Sequence, residues 1–85
     1  MLRINTLAGN GGDRLELEGR LTGDYVPELQ KVVAAALRRS PHVALDLSEL
    51  TFLDAEGVRF LRELVAREVP IHGCSSFVVH LLGLR

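Results

Sequence analysis

A change in hydrophobic period in the first half of the chain is the feature that most constrains its fold. Over residues 14–21 the two faces alternate, with Leu15, Leu17 and Leu21 on one face and Arg or Glu at every position of the other. Over residues 26–37 apolar residues recur every three or four positions, which is the spacing of an amphipathic helix. A strand with one solvent-exposed face therefore precedes a helix. Asp24 is the predicted N-cap of this helix, and Pro41 is expected to prevent it from continuing.

The remaining segments continue the same alternation. Residues 2–5 predict a first strand, and the glycine-rich segment 9–13 predicts a tight turn. Residues 42–47 form a short apolar run, which indicates a strand covered on both faces. A second helix begins at Asp54 and is expected to end at Pro70.

A brief strand and a last helix complete the pattern. Val69 and Ile71 predict the strand, and four residues are expected to share one side of the helix: Phe77, Val78, Leu81 and Leu82. The predicted order is ββαβαβα, an α/β fold with a mixed β-sheet and helices packed mainly on one face.

Length and composition favour one domain spanning residues 1–85. Hydrophobic residues make up 47% of the sequence and charged residues 25%, which is typical of a globular protein. The net charge of −1 provides no long-range field for a nucleic acid.

The sequence also predicts a cytoplasmic protein without direct membrane insertion. Cys74 is the single cysteine, so it has no intramolecular disulfide partner, and the N-terminus lacks an apolar secretory core. No run approaches the roughly 18 apolar residues that a membrane span requires.

Two short motifs carry a resemblance to a known family. The strand at residues 43–48 ends in Asp46-Leu47-Ser48, and Asp54-x-x-Gly57 follows at the start of a helix. With these motifs the chain resembles the STAS family of anti-sigma-factor antagonists over most of its length. Residues 17–21 and 73–78 support the resemblance.

The resemblance implies a bacterial signalling module that takes part in transcription regulation through protein–protein interaction. It implies that an anti-sigma factor, itself a serine-kinase-like protein, binds the surface around Asp54. It also implies a phosphorylated residue directly after this aspartate. That position is Ala55, which has no hydroxyl group, so the usual phosphorylation is not expected there.

We therefore expect a partner-binding surface at the start of the second helix, formed by Asp54, Ala55, Glu56, Gly57 and Phe60. Phe60 and Val79 fall off the main apolar stripes of their helices, which predicts that both are exposed. The supporting loop residues are Asp46, Ser48 and Thr51. Each polar residue also has a purely structural interpretation: it caps a helix, accepts hydrogen bonds from loop amides, or stabilises a turn.

Enzymatic and metal-binding interpretations are weaker. Cys74, His72 and His80 belong to types that can act as nucleophile or ligand, but a zinc site needs three or four convergent ligands. The glycines of segment 9–13 do not have the spacing of a nucleotide-phosphate motif. We expect no enzyme activity, no cofactor and no metal.

Two further expectations follow from the resemblance. STAS domains are also similar to accessory subunits of lipid-transport ABC complexes, so a transport role is the alternative function. Such domains usually continue with another strand and helix, whereas this sequence stops after residues 83–85. An unpaired sheet edge would then be a docking site for another chain or for a second copy, giving a homodimer.

Overall fold

The computed structural model describes residues 1–9 and 11–83. In chain order its elements are β1 (Leu2–Gly9), β2 (Gly12–Leu21), α1 (Val26–Arg39), β3 (Val43–Leu53), α2 (Ala55–Ala66), β4 (Ile71–His72) and α3 (Ser76–Leu82). This order confirms the predicted ββαβαβα arrangement. Asn10 of the predicted turn, and Leu84 and Arg85 at the chain end, lie outside the described residues.

The four strands form one mixed sheet in the order β1-β2-β3-β4. β1 pairs antiparallel with β2, from Leu2 opposite Gly19 to Gly9 opposite Gly12. β2 and β3 are parallel, as are β3 and β4, because a helix connects each of these pairs. The mixed sheet predicted from the sequence is therefore confirmed.

The core lies on one face of this sheet. The leucines of the alternating segment are fully buried, whereas Arg14 and Arg20 on the opposite face are exposed. Register places Leu15 beside Leu45 on that buried face. The three helices contribute further buried side chains: Leu29, Val33 and Ala36 of α1, Phe60, Leu61 and Leu64 of α2, and Val78 and Leu82 of α3.

β3 differs from its prediction in length and in burial. It continues to Leu53, through a segment whose polar residues had indicated a loop. Its burial alternates, with Leu45 and Leu47 buried but Ala44 and Asp46 only partly so, and the expectation of a strand covered on both faces is wrong. The physical reason is that the apolar residue Ala44 is small and sits on the charged face of the sheet, next to Arg14.

The N-terminus of α1 is also capped differently from the prediction. Its N-cap residue is Tyr25 and makes no side-chain cap bond, while Asp24 is exposed. The backbone provides the bonds instead, because the N–H groups of Tyr25 and Val26 donate to the carbonyls of Thr22 and Gly23.

The helix ends at Arg39, and Arg39 donates a 2.6 Å hydrogen bond to the carboxylate of the buried Asp13.

α2 ends at Ala66, four residues before Pro70, so the expected proline stop is wrong. The N–H of Glu68 donates to the carbonyl of Val65, and the N–H of Val69 donates to that of Leu64. These two bonds define a Schellman motif, in which the residue after the C-cap adopts the left-handed conformation. Glu68 occupies that position with φ of 64°, so a backbone turn and not a proline terminates the helix.

We predict that Glu68→Gly raises the free energy of unfolding by about 0.5–1 kcal/mol, because glycine adopts positive φ without the steric cost of a Cβ atom. Glu68→Ala is the matched control, since it removes the same exposed carboxylate but retains Cβ. Urea unfolding followed by circular dichroism measures both variants. A Glu68→Ala variant that gains as much stability would show that charge and not backbone strain is responsible.

Candidate functional site

The start of α2 is held in place by the carboxylate of Asp54. One oxygen accepts a 2.8 Å hydrogen bond from the N–H of Gly57 inside the helix. The other accepts a 2.8 Å bond from the N–H of Gly23, in the loop between β2 and α1. The predicted N-cap role of Asp54 is confirmed, and the same side chain joins two loops that lie 31 residues apart in sequence.

These contacts lower the pKa of Asp54. The amide of Gly57 makes the largest contribution and the amide of Gly23 the next, because both stabilise the ionised carboxylate. At pH values above about 4, the ordinary pKa of an aspartate, the ionised Asp54 carboxylate stabilises the folded state. This stabilisation is lost as the pH falls through the lowered pKa.

We predict that Asp54→Ala lowers Tm at neutral pH by about 4–8 °C, the usual effect of losing an N-cap in a domain of this size. The Tm difference from the unsubstituted protein should shrink as the pH falls from about 4, the ordinary pKa of an aspartate, through the lowered pKa of Asp54 in the folded protein. Thermal unfolding at pH 7 and pH 3 checks both statements. Asp24→Ala is the control, because Asp24 is an exposed acid beside a helix whose N-cap residue makes no side-chain cap bond. An equal effect of the two substitutions at pH 7 would contradict the capping argument.

The next two residues of α2 present a surface without hydroxyl groups. Ala55 and Glu56 are both exposed in the first helical turn. Glu56 pairs with Arg59 of the next turn at 2.9 Å. The exposed part of this helix start therefore combines a methyl group with a locally balanced ion pair.

Gly57 and Phe60 lie on the opposite side of α2, in the core. Gly57 is buried, and a Cβ atom placed there would lie 2.6 Å from the carbonyl oxygen of Leu21. Phe60 is only 6% exposed, so the prediction that it forms an exposed patch is wrong. The close approach of Gly57 to β2 turns this side of the helix inward and takes Phe60 with it. Val79, predicted to be exposed with it, is partly buried.

An exposed aromatic side chain is found on α3 instead. Phe77 was expected on the buried side of α3 but is 56% exposed, whereas Val78 is buried. Leu81 is partly buried and follows Phe77 by one turn, so the two lie on the same side of α3. The sequence contains a signal for this, because Phe77 and Leu81 form one apolar stripe of a short helix and Val78 and Leu82 form another. A single sheet face buries only one of them.

A groove of about 710 Å³ runs between α2 and α3. Its lining includes apolar side chains from three elements and charged side chains along α2. The residues are Leu53, Asp54, Ala55, Val58, Arg59, Arg62, Glu63, Ala66 and Leu81. The groove therefore begins at the cap of α2 and extends along the helix to the side of α3 that carries Phe77.

The predicted supporting residues lie elsewhere on the sheet. Asp46 accepts hydrogen bonds of 2.9 Å from the N–H and 2.5 Å from the hydroxyl of Ser48, and pairs with Arg14 at 3.3 Å. The bonds from Ser48 are the main reason for the lowered pKa of Asp46. Thr51 donates to the carbonyl of Gly19 at 2.9 Å. Within residues 1–9 and 11–83, no hydrogen bond joins these side chains to Asp54, so they form separate local contacts.

Cys74 is partly exposed and lies near Asp46. Burial raises the pKa of its thiol, and the negative charge of Asp46 raises it further, so both effects disfavour the reactive thiolate form. Among the residues that the structure describes, no three or more His, Cys, Asp or Glu side chains are grouped to hold a metal ion.

None of the described helices is both long enough and apolar enough to cross a membrane.

Two solved structures share this fold. An anti-sigma factor antagonist from Mycobacterium paratuberculosis is 19% identical, with a TM-score of 0.77 over 99% of this chain and 80% of that chain. An uncharacterized protein of the DUF3478 family with a SpoIIAA-like fold, from Shewanella loihica PV-4, is 17% identical, with a TM-score of 0.62 over 89% of this chain and 69% of that one. At these identities the likeness establishes the fold.

A search of the curated proteins found no match to the sequence. The family model described as "Mlab, STAS domain" matches residues 6–83, which include every strand and helix of the structure except the first residues of β1. The match extends over most of the chain and agrees with the fold. The chain belongs to the STAS domain family.

Proposed function

We propose that this chain is a non-catalytic protein-binding module that docks its partner on the start of α2 and on the groove between α2 and α3. The exposed apolar surface on this side carries the proposal. Ala55, Val58 and Leu81 line the groove, and Phe77 adds an exposed aromatic ring one turn from Leu81. Exposed aromatic and aliphatic side chains with charged neighbours are typical of protein-binding surfaces.

The composition of the helix start supports binding that phosphorylation at this position does not control. Ala55, Glu56 and Gly57 have no hydroxyl group, and the hydroxyl of Thr51 already donates to a backbone carbonyl. Adding a phosphate is the usual way to introduce a charge of about −2 at such a place. Without an acceptor, the complex forms whenever both proteins are present.

The first candidate partner is an anti-sigma factor or a related serine-kinase-like protein in the cytoplasm. The structure from Mycobacterium paratuberculosis, which shares the fold, is described as an anti-sigma factor antagonist. The second candidate is a subunit of a lipid-transport ABC complex, in which this chain is an accessory subunit. Two observations support the transport role. The matching family model is described as "Mlab, STAS domain", and residues 55–57 carry no hydroxyl group.

Binding measurements with purified candidates test the proposal. The anti-sigma factors and the ABC ATPase subunits encoded in the same genome are each titrated with this chain by calorimetry. We expect one class to bind, and we expect Ala55→Arg and Phe77→Ala to weaken that binding at least about tenfold, the effect of losing a contact worth about 1.4 kcal/mol. Ala34→Arg, which adds the same charge on the exposed side of α1, is the control.

The outcomes separate the two partner classes and the site. Binding only to an ABC subunit assigns the transport role, and binding only to an anti-sigma factor assigns the regulatory role. Binding that Ala55→Arg and Phe77→Ala leave unchanged would place the partner on another surface and overturn the proposed site.

A further inference from the structure

The outer edge of β1 lacks the features that normally prevent an exposed strand from pairing. β1 is eight residues long, contains no proline, and pairs with β2 in an unbroken register. Its only charged side chain is Arg3. Native edge strands are usually short, bulged, rich in charge or interrupted by proline, because a long regular edge is a template for another strand. The opposite edge of the described sheet, β4, is only two residues long.

The backbone of β1 indicates which groups face outward. The carbonyl of Met1 accepts a hydrogen bond from the N–H of Arg20, so it points toward β2. Backbone groups of successive strand residues point alternately to the two sides. The N–H and C=O groups of Leu2, Ile4, Thr6 and Ala8 therefore point away from β2, where the described sheet has no further strand.

We propose that β1 pairs antiparallel with β1 of a second copy of this chain, which extends the two sheets into one. One register uses every outward group: Leu2 lies opposite Ala8 of the second copy, Ile4 lies opposite Thr6, and Asn5 lies on the twofold axis. Each opposed pair exchanges two hydrogen bonds, so the four pairs supply about eight. The helical layers of both copies lie on the same side of the joined sheet.

Charge and side-chain pairing are compatible with this register. Arg3 lies opposite Leu7 of the second copy, and the two Arg3 side chains are about 14 Å apart along the strands, so like charges do not face each other. Within its own sheet Arg3 is paired in register with Glu18. On the helical side, the half-buried Leu2 and Ile4 gain apolar contacts from Ala8 and Thr6 of the second copy.

Sedimentation velocity over about 0.01–1 mM protein tests this pairing, a range suited to a small interface. We expect the mass to rise toward twice that of the chain. Thr6→Lys places a charge at two symmetry-related positions of the joined strands and should raise the dissociation constant at least about tenfold. Thr6→Pro removes an outward N–H that β2 does not use, and should have the same effect. Gln30→Lys, at an exposed position of α1, is the charge control and should give the same mass as the unsubstituted protein at each concentration.

Hydrogen exchange locates the interface independently of the variants. The amides of Leu2, Ile4, Thr6 and Ala8 should become protected as the concentration rises. A chain that stays monomeric at 1 mM, or a dimer that Thr6→Lys leaves intact, would overturn the proposal. β1 is not part of the groove between α2 and α3, so the absence of β1 pairing would not affect the proposed partner site.

Discussion

Phe60→Ala is expected to lower the free energy of unfolding by about 3–5 kcal/mol. The ring of Phe60 is only 6% exposed and belongs to the core, so truncation removes its burial and leaves a cavity. A domain of this size has a total stability of only about 4–13 kcal/mol, so the loss is a large fraction of the whole. Urea unfolding at constant pH, followed by circular dichroism, measures the change.

Phe77→Ala is the matched control for this prediction. The chemical change is identical, but Phe77 is 56% exposed, so its truncation should alter the free energy of unfolding by no more than about 0.5 kcal/mol. The pair also separates folding from binding, because Phe77→Ala should weaken partner binding in a fully folded protein. Equal destabilisation by the two substitutions would contradict the assignment of Phe60 to the core and of Phe77 to the surface.

Gly57→Ala should also destabilise the protein, by about 1–3 kcal/mol, although alanine is the better helix former. The new Cβ atom would lie 2.6 Å from the carbonyl oxygen of Leu21, where the neighbouring atom belongs to a strand backbone and has little freedom to move. Overpacking a close contact of this kind typically costs about 1–3 kcal/mol. Thermal unfolding measures the change as a lower Tm.

The contrary outcome for Gly57→Ala is equally specific. Helix propensity alone favours alanine by about 1 kcal/mol, so a higher Tm would show that α2 moves away from β2 at little cost. Ala66→Gly, at an exposed position of the same helix, provides the control. It reverses the propensity change without a steric contact and should lower the free energy of unfolding by up to about 1 kcal/mol.

The sequence predicts the elements with regular periods and misses those in which the chain breaks its own period. The alternation in β2 and the three- and four-residue spacing in α1 lead directly to the observed buried residues. β3 was predicted too short because its register against β2 shifts twice, between Glu16 and Glu18 and between Gly19 and Arg20. Each shift inserts an extra residue into β3, so a continuous bulged strand has the irregular pattern of a loop.

The misplacement of Phe60 has a similar origin in Gly57. A glycine has no side chain and does not count as apolar in a periodicity analysis, so the apolar stripe predicted for this helix is Val58, Leu61, Leu64 and Val65. In the structure Gly57 is a buried member of the stripe, and the inward positions become 57, 60, 61 and 64. The Asp54 cap could be predicted because it depends on local sequence, whereas its bond to Gly23 depends on a loop distant in the chain.

The bond from Gly23 to Asp54 also provides a spectroscopic reporter of the proposed site. Tyr25 is the only tyrosine of the chain, which contains no tryptophan, and it lies two residues after Gly23 in the same turn. The intrinsic ultraviolet emission of the unlabelled protein therefore comes from a ring beside the loop that Asp54 holds. A partner that displaces the Asp54 carboxylate should change this emission, so that occupancy of the start of α2 can be followed without attaching a dye.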